Sequence, residues 1–160
     1  MWVRASLVIS TKSYTVLRLI LLDTSFIFSF LNNSDYNHKK ALEIMRKIDD
    51  GEYGKPLITD YIFDELVTLV LIRGGPKYAV SVGNALLEQV HKGCINMHHV
   101  TSKDFERAWS YFQVFHSRKL SFTDCVSLAV LEELGIGNIA SFDTGFDGVV
   151  IDKNPVKRVN

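Results

Sequence analysis

Four acidic residues of this chain occupy positions from which a carboxylate can do chemistry. Asp23 directly follows an apolar run, in Leu-Leu-Asp-Thr-Ser, and Asp143 follows another, in Ala-Ser-Phe-Asp-Thr-Gly. Glu65 sits in a helical stretch that is otherwise apolar at Ile62, Phe63, Leu66, Val67, Leu69, Val70, Leu71 and Ile72. At about 100° per residue it falls beside Leu69 and Ile72 at the border of the apolar stripe, whereas Asp64 falls on the polar side. Asp124 opens a further apolar helix, in Ser-Phe-Thr-Asp-Cys. Each acid also has a purely structural reading. Asp23 could cap the helix it precedes, and Asp143 could make a turn ahead of Thr144-Gly145. Glu65 could be a border residue held by a cation, and Ser121 with Asp124 spells a capping box, as Thr101 with Asp104 does elsewhere.

Gathered at one place, the four would repel. Two carboxylates about 4 Å apart cost roughly 4 kcal/mol at an effective dielectric near 20, so three or four ionised together require divalent cations. Oxygen-only ligands favour Mg²⁺ or Mn²⁺ over zinc. Such ions can hold a phosphodiester, activate a water and stabilise the leaving oxygen, which is the chemistry of phosphodiester hydrolysis.

The elements that would gather them alternate between strand and helix. Val16 to Leu22 has, apart from Arg18, the continuous apolar character of a buried parallel strand and stops at Asp23. Helices are expected over Thr24 to Leu31, from the N-cap pair Ser34 and Asp35 to about Ile48, from about Asp60 to Arg73, and from about Lys77 to His91. Two more are expected from Thr101 toward Phe115 and from Ser121 to Leu134. Strands are expected at Pro56 to Thr59, Ile95 to Val100, Asn138 to Phe142 and Gly148 to Ile151. This alternation predicts an α/β fold, a three-layer α/β/α sandwich around a central, mainly parallel sheet. Ligands of such sheets bind outside the carboxyl ends of the strands, where Asp23 and Asp143 fall.

The chain has 160 residues, enough for one domain. Residues 1–15 precede the first convincing strand and read as an N-terminal extension, leaving 16–160 as a single domain. Arg4, Lys12 and Arg18 interrupt the N-terminal apolar residues too often for a signal-peptide core. No apolar run reaches the length needed to cross a bilayer, so a cytoplasmic protein without membrane attachment is expected. Acidic and basic residues balance at 18 each, so nucleic acid would have to be gripped by local patches. Cys94 and Cys125 lack metal-ligand spacing and read as free, buried thiols.

With these residues in order along the chain, the sequence resembles the PIN domain family, and most of all its VapC-type toxin ribonucleases. The resemblance spans about residues 17 to 155. It rests on Leu-Asp-Thr-Ser at 22–25, Asp-Glu-Leu at 64–66, Leu-Ser-Phe-Thr-Asp-Cys at 120–125 and Ser-Phe-Asp at 141–143. It implies a metal-dependent endoribonuclease in which Asp23, Glu65, Asp124 and Asp143 coordinate Mg²⁺ or Mn²⁺ and position the attacking water. Thr24, Ser25 and Ser141 would be supporting hydroxyls. Family members often carry a second acid two residues after the last strand-end Asp. Here that position is Gly145, and Asp147 is the available substitute. The resemblance further implies an RNA substrate, a homodimer and a small cognate antitoxin.

Other features are open to two readings. Arg118 and Lys119, just before the Asp124 helix, could bind RNA phosphates or be ordinary surface cations. Lys39, Lys40, Arg46 and Lys47 share a helical side with Glu43, which favours a solvated, salt-bridged face. The five histidines lack a zinc motif. Trp109, Tyr111, Phe112 and Phe115 read as one helix burying an aromatic face in the core or a dimer contact. A haloacid-dehalogenase-like phosphatase would need an acid where Ser25 stands, and a metal-dependent adhesion domain a serine where Ile27 stands. Two alternatives to the toxin reading remain: a PIN fold kept as a non-catalytic RNA- or partner-binding module, and a stand-alone RNA-processing nuclease.

Overall fold

A computed structural model describes residues 18–160. The expected extension over 1–15 and the first two residues of the expected first strand lie outside the described residues.

Strand β1 (Leu19–Leu22) runs directly into helix α1 (Thr24–Leu31), and after a turn α2 (His38–Asp49) follows. Next come β2 (Lys55–Thr59), α3 (Asp60–Gly74), α4 (Pro76–His91), β3 (Asn96–His98), α5 (Ser102–Val114) and α6 (Phe122–Glu133). The chain ends with β4 (Asn138–Ala140), β5 (Val150–Ile151), β6 (Asn154–Pro155) and β7 (Lys157–Val159). Five strands form one sheet in the order β3-β2-β1-β4-β7, with every pairing parallel. Helices flank it, giving the three-layer arrangement expected of alternating strands and helices.

β1 lies at the centre, and Ile20, Leu21 and Leu22 on it are essentially inaccessible. Gly54 allows the close approach that starts the β1–β2 pairing: its φ is +93°, and a Cβ there would stand 2.2 Å from the Arg18 carbonyl oxygen. α6 is buried continuously from Asp124 through Leu131, as its unbroken apolar sequence requires. It packs against α5 and also touches α3, while α1 touches α2 and α3. The chain leaves β1 toward β2 on one side and returns at β4 on the other, so the carboxyl ends of β1 and β4 form a topological switch point.

Several elements depart from the sequence expectations. α2 starts at His38, because Asp35 does not cap it. Asp35 Oδ1 instead accepts from the Asn37 backbone N–H at 2.8 Å, closing a turn ahead of the helix. The strand expected over 148–151 is not part of the central sheet. β5 and β6 form a separate antiparallel hairpin whose turn residues Asp152 and Lys153 adopt positive φ of 45° and 66°. The fifth sheet strand is β7, whose Lys-Arg-Val sequence carries no apolar run. On α3, Leu71 and Ile72 are exposed, Ile72 to 75%. Trp109 is also half exposed and stacks on Phe112, whereas Tyr111, Phe112 and Phe115 are partly buried against the core as expected. Among the described residues no helix is long and apolar enough to cross a membrane. Cys94 and Cys125 are free and buried.

Candidate active site

Asp23 both caps α1 and anchors a hydroxyl network. Its Oδ2 accepts from the Ser25 backbone N–H at 3.3 Å, Ser25 Oγ at 2.5 Å and Ser141 Oγ at 2.8 Å. Ser25 Oγ in turn accepts from the Phe142 N–H, and Ser141 Oγ from the Asp143 N–H. The two serines therefore tie the end of β1 to the segment after β4. Asp23 is 2% exposed, and burial pushes its carboxyl above the usual carboxylate range even though these hydrogen bonds oppose the shift.

Glu65 is half-buried on the second turn of α3, and Thr24 Oγ1 donates to its Oε2 at 2.5 Å. Burial again raises its pKa; the Thr24 bond opposes this, and the charges of Asp23 and Asp64 add to it. Asp143 caps the short 3₁₀ turn Thr144–Phe146, with its Oδ1 accepting from the Gly145 N–H at 2.7 Å.

Asp124 completes the capping box of α6. The Ser121 N–H donates to Asp124 Oδ2 at 2.6 Å, and the Asp124 N–H donates to Ser121 Oγ at 3.1 Å. The capping reading is thus correct, and it is incomplete. Asp104 occupies the same position in the capping box of α5, with Thr101. Burial would raise the Asp104 pKa, but the hydrogen bonds from His98 and Thr101 bring it below the usual range. Asp124 has acids for neighbours instead. Burial first, then the charge of Asp23 and less strongly that of Asp143, push its carboxyl up to about 7. One motif thus stands in two electrostatic settings, and the neighbours separate them. Ser121→Ala and Thr101→Ala are each expected to cost about 1 kcal/mol of stability. Only Ser121→Ala should also reduce activity: the Ser121 N–H that holds Asp124 Oδ2 stays, but the Oγ that accepts from the Asp124 N–H is lost and the box that places the carboxylate loosens; parallel urea melts and activity assays on the two variants check this.

In every one of the four carboxylates the bonds above converge on a single oxygen: Oδ2 of Asp23, Oε2 of Glu65, Oδ2 of Asp124 and Oδ1 of Asp143. The other oxygen takes none of them. All four acids line one cleft of about 310 Å³ together with Thr24, Ser25, Ser121 and Lys119. Larger cavities exist, but in the one between α5 and α6 two of the four acids, Glu132 and Glu133, are paired with Arg107 and Lys103, and Asp104 is held by Thr101 and His98, so size does not select the site. Among the described residues, no group of three or more His, Cys, Asp or Glu stands in ready metal-holding geometry. The donor set nevertheless fits a hard cation: four carboxylates, each with one oxygen held and one not so held, of which burial raises the pKa of Asp23, Glu65 and Asp124 and neighbouring negative charge adds to this at Glu65 and Asp124. A divalent cation relieves that crowding.

Asp147 does not join this group. Both its carboxylate oxygens are taken by Arg158 of β7, at 2.6 and 2.8 Å, and it does not line the cleft. Arg118 is also turned away from the acids, donating to the Asp147 carbonyl at 2.7 Å and lying over the Phe115 ring. Ser121 and Leu69 line the cleft without having been singled out for it; Ser121 was visible in the sequence only as a cap. At Gly145, two residues after Asp143, a Cβ would meet Leu120 Cδ2 at 2.6 Å and Asp143 Oδ1 at 3.1 Å, so a side chain there requires Leu120 to shift. Buried Leu120 fills the space. Gly145→Asp is accordingly expected to destabilise the fold by about 1–3 kcal/mol, and a midpoint unchanged in denaturant melts would contradict that.

Residues 20–151 match the model of the PIN domain. The chain belongs to the PIN domain family. Asp23, Glu65, Asp124 and Asp143 of this PIN domain all lie within the matched residues. A VapC ribonuclease of Archaeoglobus fulgidus is 28% identical over 142 residues, which is 88% of this chain and 86% of that protein. The crystal structure of Mycobacterium tuberculosis VapC20, a sarcin-ricin loop cleaving toxin, matches this PIN domain with a TM-score of 0.68 at 27% identity. That match covers 78% of this chain and 89% of the solved one.

Proposed function

We propose that this PIN domain is a divalent-metal-dependent endoribonuclease acting as the toxin of a toxin-antitoxin pair. The observation that carries the reading is the convergence of Asp23, Glu65, Asp124 and Asp143 from four separate elements on one cleft at the switch point of the sheet. The VapC ribonuclease and the sarcin-ricin loop cleaving toxin among its relatives support the reaction class.

The four carboxylates would hold Mg²⁺ or Mn²⁺, which supplies charge neutralisation for the phosphodiester and an activated water when bound. The chain's own groups do the positioning. Ser25 and Ser141 both hold Oδ2 of Asp23, Thr24 fixes Glu65, and the capping box fixes Asp124. Each has one oxygen held by the fold, which leaves the other for the cation. Lys119, on the rim of the same cleft, is placed to take a substrate phosphate. A small antitoxin, homodimerisation and a cytoplasmic site of action complete the reading.

The test is cleavage of end-labelled RNA oligonucleotides by the purified chain with Mg²⁺ or Mn²⁺. Internal cuts that disappear with excess chelator are expected. Binding without cutting would instead identify a non-catalytic RNA-binding module. A short open reading frame immediately upstream, whose product suppresses cleavage, is expected for a toxin; its absence would favour a stand-alone RNA-processing nuclease.

A further inference from the structure

The acid cleft does not end at the acids. A second cleft of about 320 Å³ shares Ser25, Leu69 and Asp143 with the first, so the two lie side by side along a common wall. The second is furnished differently: the rings of Phe28 and Phe142, Asn37, and Arg73 from the last turn of α3. Both rings are half-buried, and Phe142 is braced against Phe26 with centroids 6.0 Å apart. The Asn37 side chain makes no capping bond to α2, which leaves its amide for a ligand. Arg73 is exposed and makes no ion pair or side-chain hydrogen bond with any described residue, and the same is true of Lys119 in the first cleft. Asp35 also lines the second cleft, but its Oδ1 is held by the Asn37 N–H.

An uncommitted cation thus stands on each side of the shared wall, in a protein with no net positive charge. An anionic polymer crossing four carboxylates is repelled at the centre and must be held by its neighbouring phosphates. The rings and the amide add what a phosphate alone does not need: a stacking surface and a hydrogen-bonding partner for a base edge. We propose that the Arg73 cleft is a nucleotide subsite next to the cut. It takes one unpaired RNA residue, with its base against Phe28 and Phe142 and its phosphate on Arg73, while Lys119 holds a phosphate on the other side. A paired strand is excluded, because a base inside an A-form helix cannot reach the rings. This inference rests on the nuclease reading of the acid cleft.

The test uses the full chain with unstructured RNA oligonucleotides that it cuts, shortened stepwise from either end, and the variants Arg73→Ala, Arg73→Lys and Lys119→Ala. Arg73→Ala is expected to raise KM about 10-fold on the longest RNA with little change in kcat, and Arg73→Lys to recover part of this. The Arg73→Ala penalty should vanish when the RNA is shortened from one end, and the Lys119→Ala penalty when it is shortened from the other. Penalties that are equal at every length, or absent, overturn the subsite. Anisotropy of the same labelled RNAs, in chelator, separates this from failure of the nuclease reading. Binding that weakens about 10-fold in Arg73→Ala, with a salt slope shallower by about 1, from a chain that cuts nothing would keep the subsite and refute the nuclease. Cutting without Arg73 dependence would do the reverse.

Discussion

Asp23→Asn is expected to abolish most of the RNA cleavage while leaving the fold intact or firmer. Asn caps a helix about as well as Asp, and its amide oxygen can still accept from Ser25 and Ser141, so α1 and the β1–β4 link should survive. The substitution removes one negative charge from the cleft and with it a donor to the cation. A loss of about 4 kcal/mol of transition-state stabilisation corresponds to about 10³-fold in rate. Because burial disfavours the Asp23 carboxylate, the neutral variant should melt higher than the parent in chelator at pH 8. Asp64→Asn is the matched control: Asp64 lies on the same helix as Glu65, exposed and outside the cleft, so its activity should stay within about twofold of the parent. Cleavage rates and melting midpoints of the three proteins decide this. Equal activity of Asp23→Asn and the parent would remove Asp23 from the site.

The second large effect is a stability that falls as pH rises when divalent cations are absent. The ordinary value for the Asp124 carboxyl is 3.8, and in the fold it is pushed up to about 7; those of Asp23 and Glu65 are raised as well. An acid whose pKa is higher in the folded state binds its proton more tightly there, so unfolding releases protons between the two values. Stability therefore declines as pH rises from about 4 through about 7 and levels off above it. A shift of about three units corresponds to about 4 kcal/mol, or about 10 °C in melting midpoint for a chain of this size. Mn²⁺ competes with those protons, so it should stabilise strongly at pH 8 and little at pH 5. Calorimetric scans at both pH values, in chelator and in Mn²⁺, test this. A midpoint in chelator that is flat or rising from pH 5 to 8 would show that the acids are not crowded.

What the sequence made legible was what is encoded locally. Asp23 ends a buried strand and caps the following helix within three residues, so α1 was readable to its bounds. The capping boxes at Thr101 and Ser121 were readable for the same reason. Glu65 stood out because an acid among Leu66, Leu69 and Val70 needs a partner, and its partner proved to be Thr24, 41 residues away. The character of Asp124 was not legible, because the box motif is identical to that of Asp104. The difference lies in His98 beside one and Asp23 beside the other, contacts that only the fold creates. β7 escaped because an edge strand facing solvent has no need of apolar residues. The β5–β6 turn lacks the Gly or Asn that usually marks positive φ. Asp147 looked free to replace the acid missing at Gly145, but Arg158 on that unforeseen strand occupies both its oxygens.

The claim on which everything else depends is that the four carboxylates act as one cation-dependent site. Cleavage rate measured against Mn²⁺ concentration, for the parent chain and for Asp23→Asn, Glu65→Gln, Asp124→Asn and Asp143→Asn, tests it directly. Each variant is expected to need more Mn²⁺ for its half-maximal rate and to reach a lower maximum, with chelator abolishing cleavage throughout. Cleavage that survives chelator, or that Asp23→Asn and Asp124→Asn both retain at the parent's rate, would contradict the site.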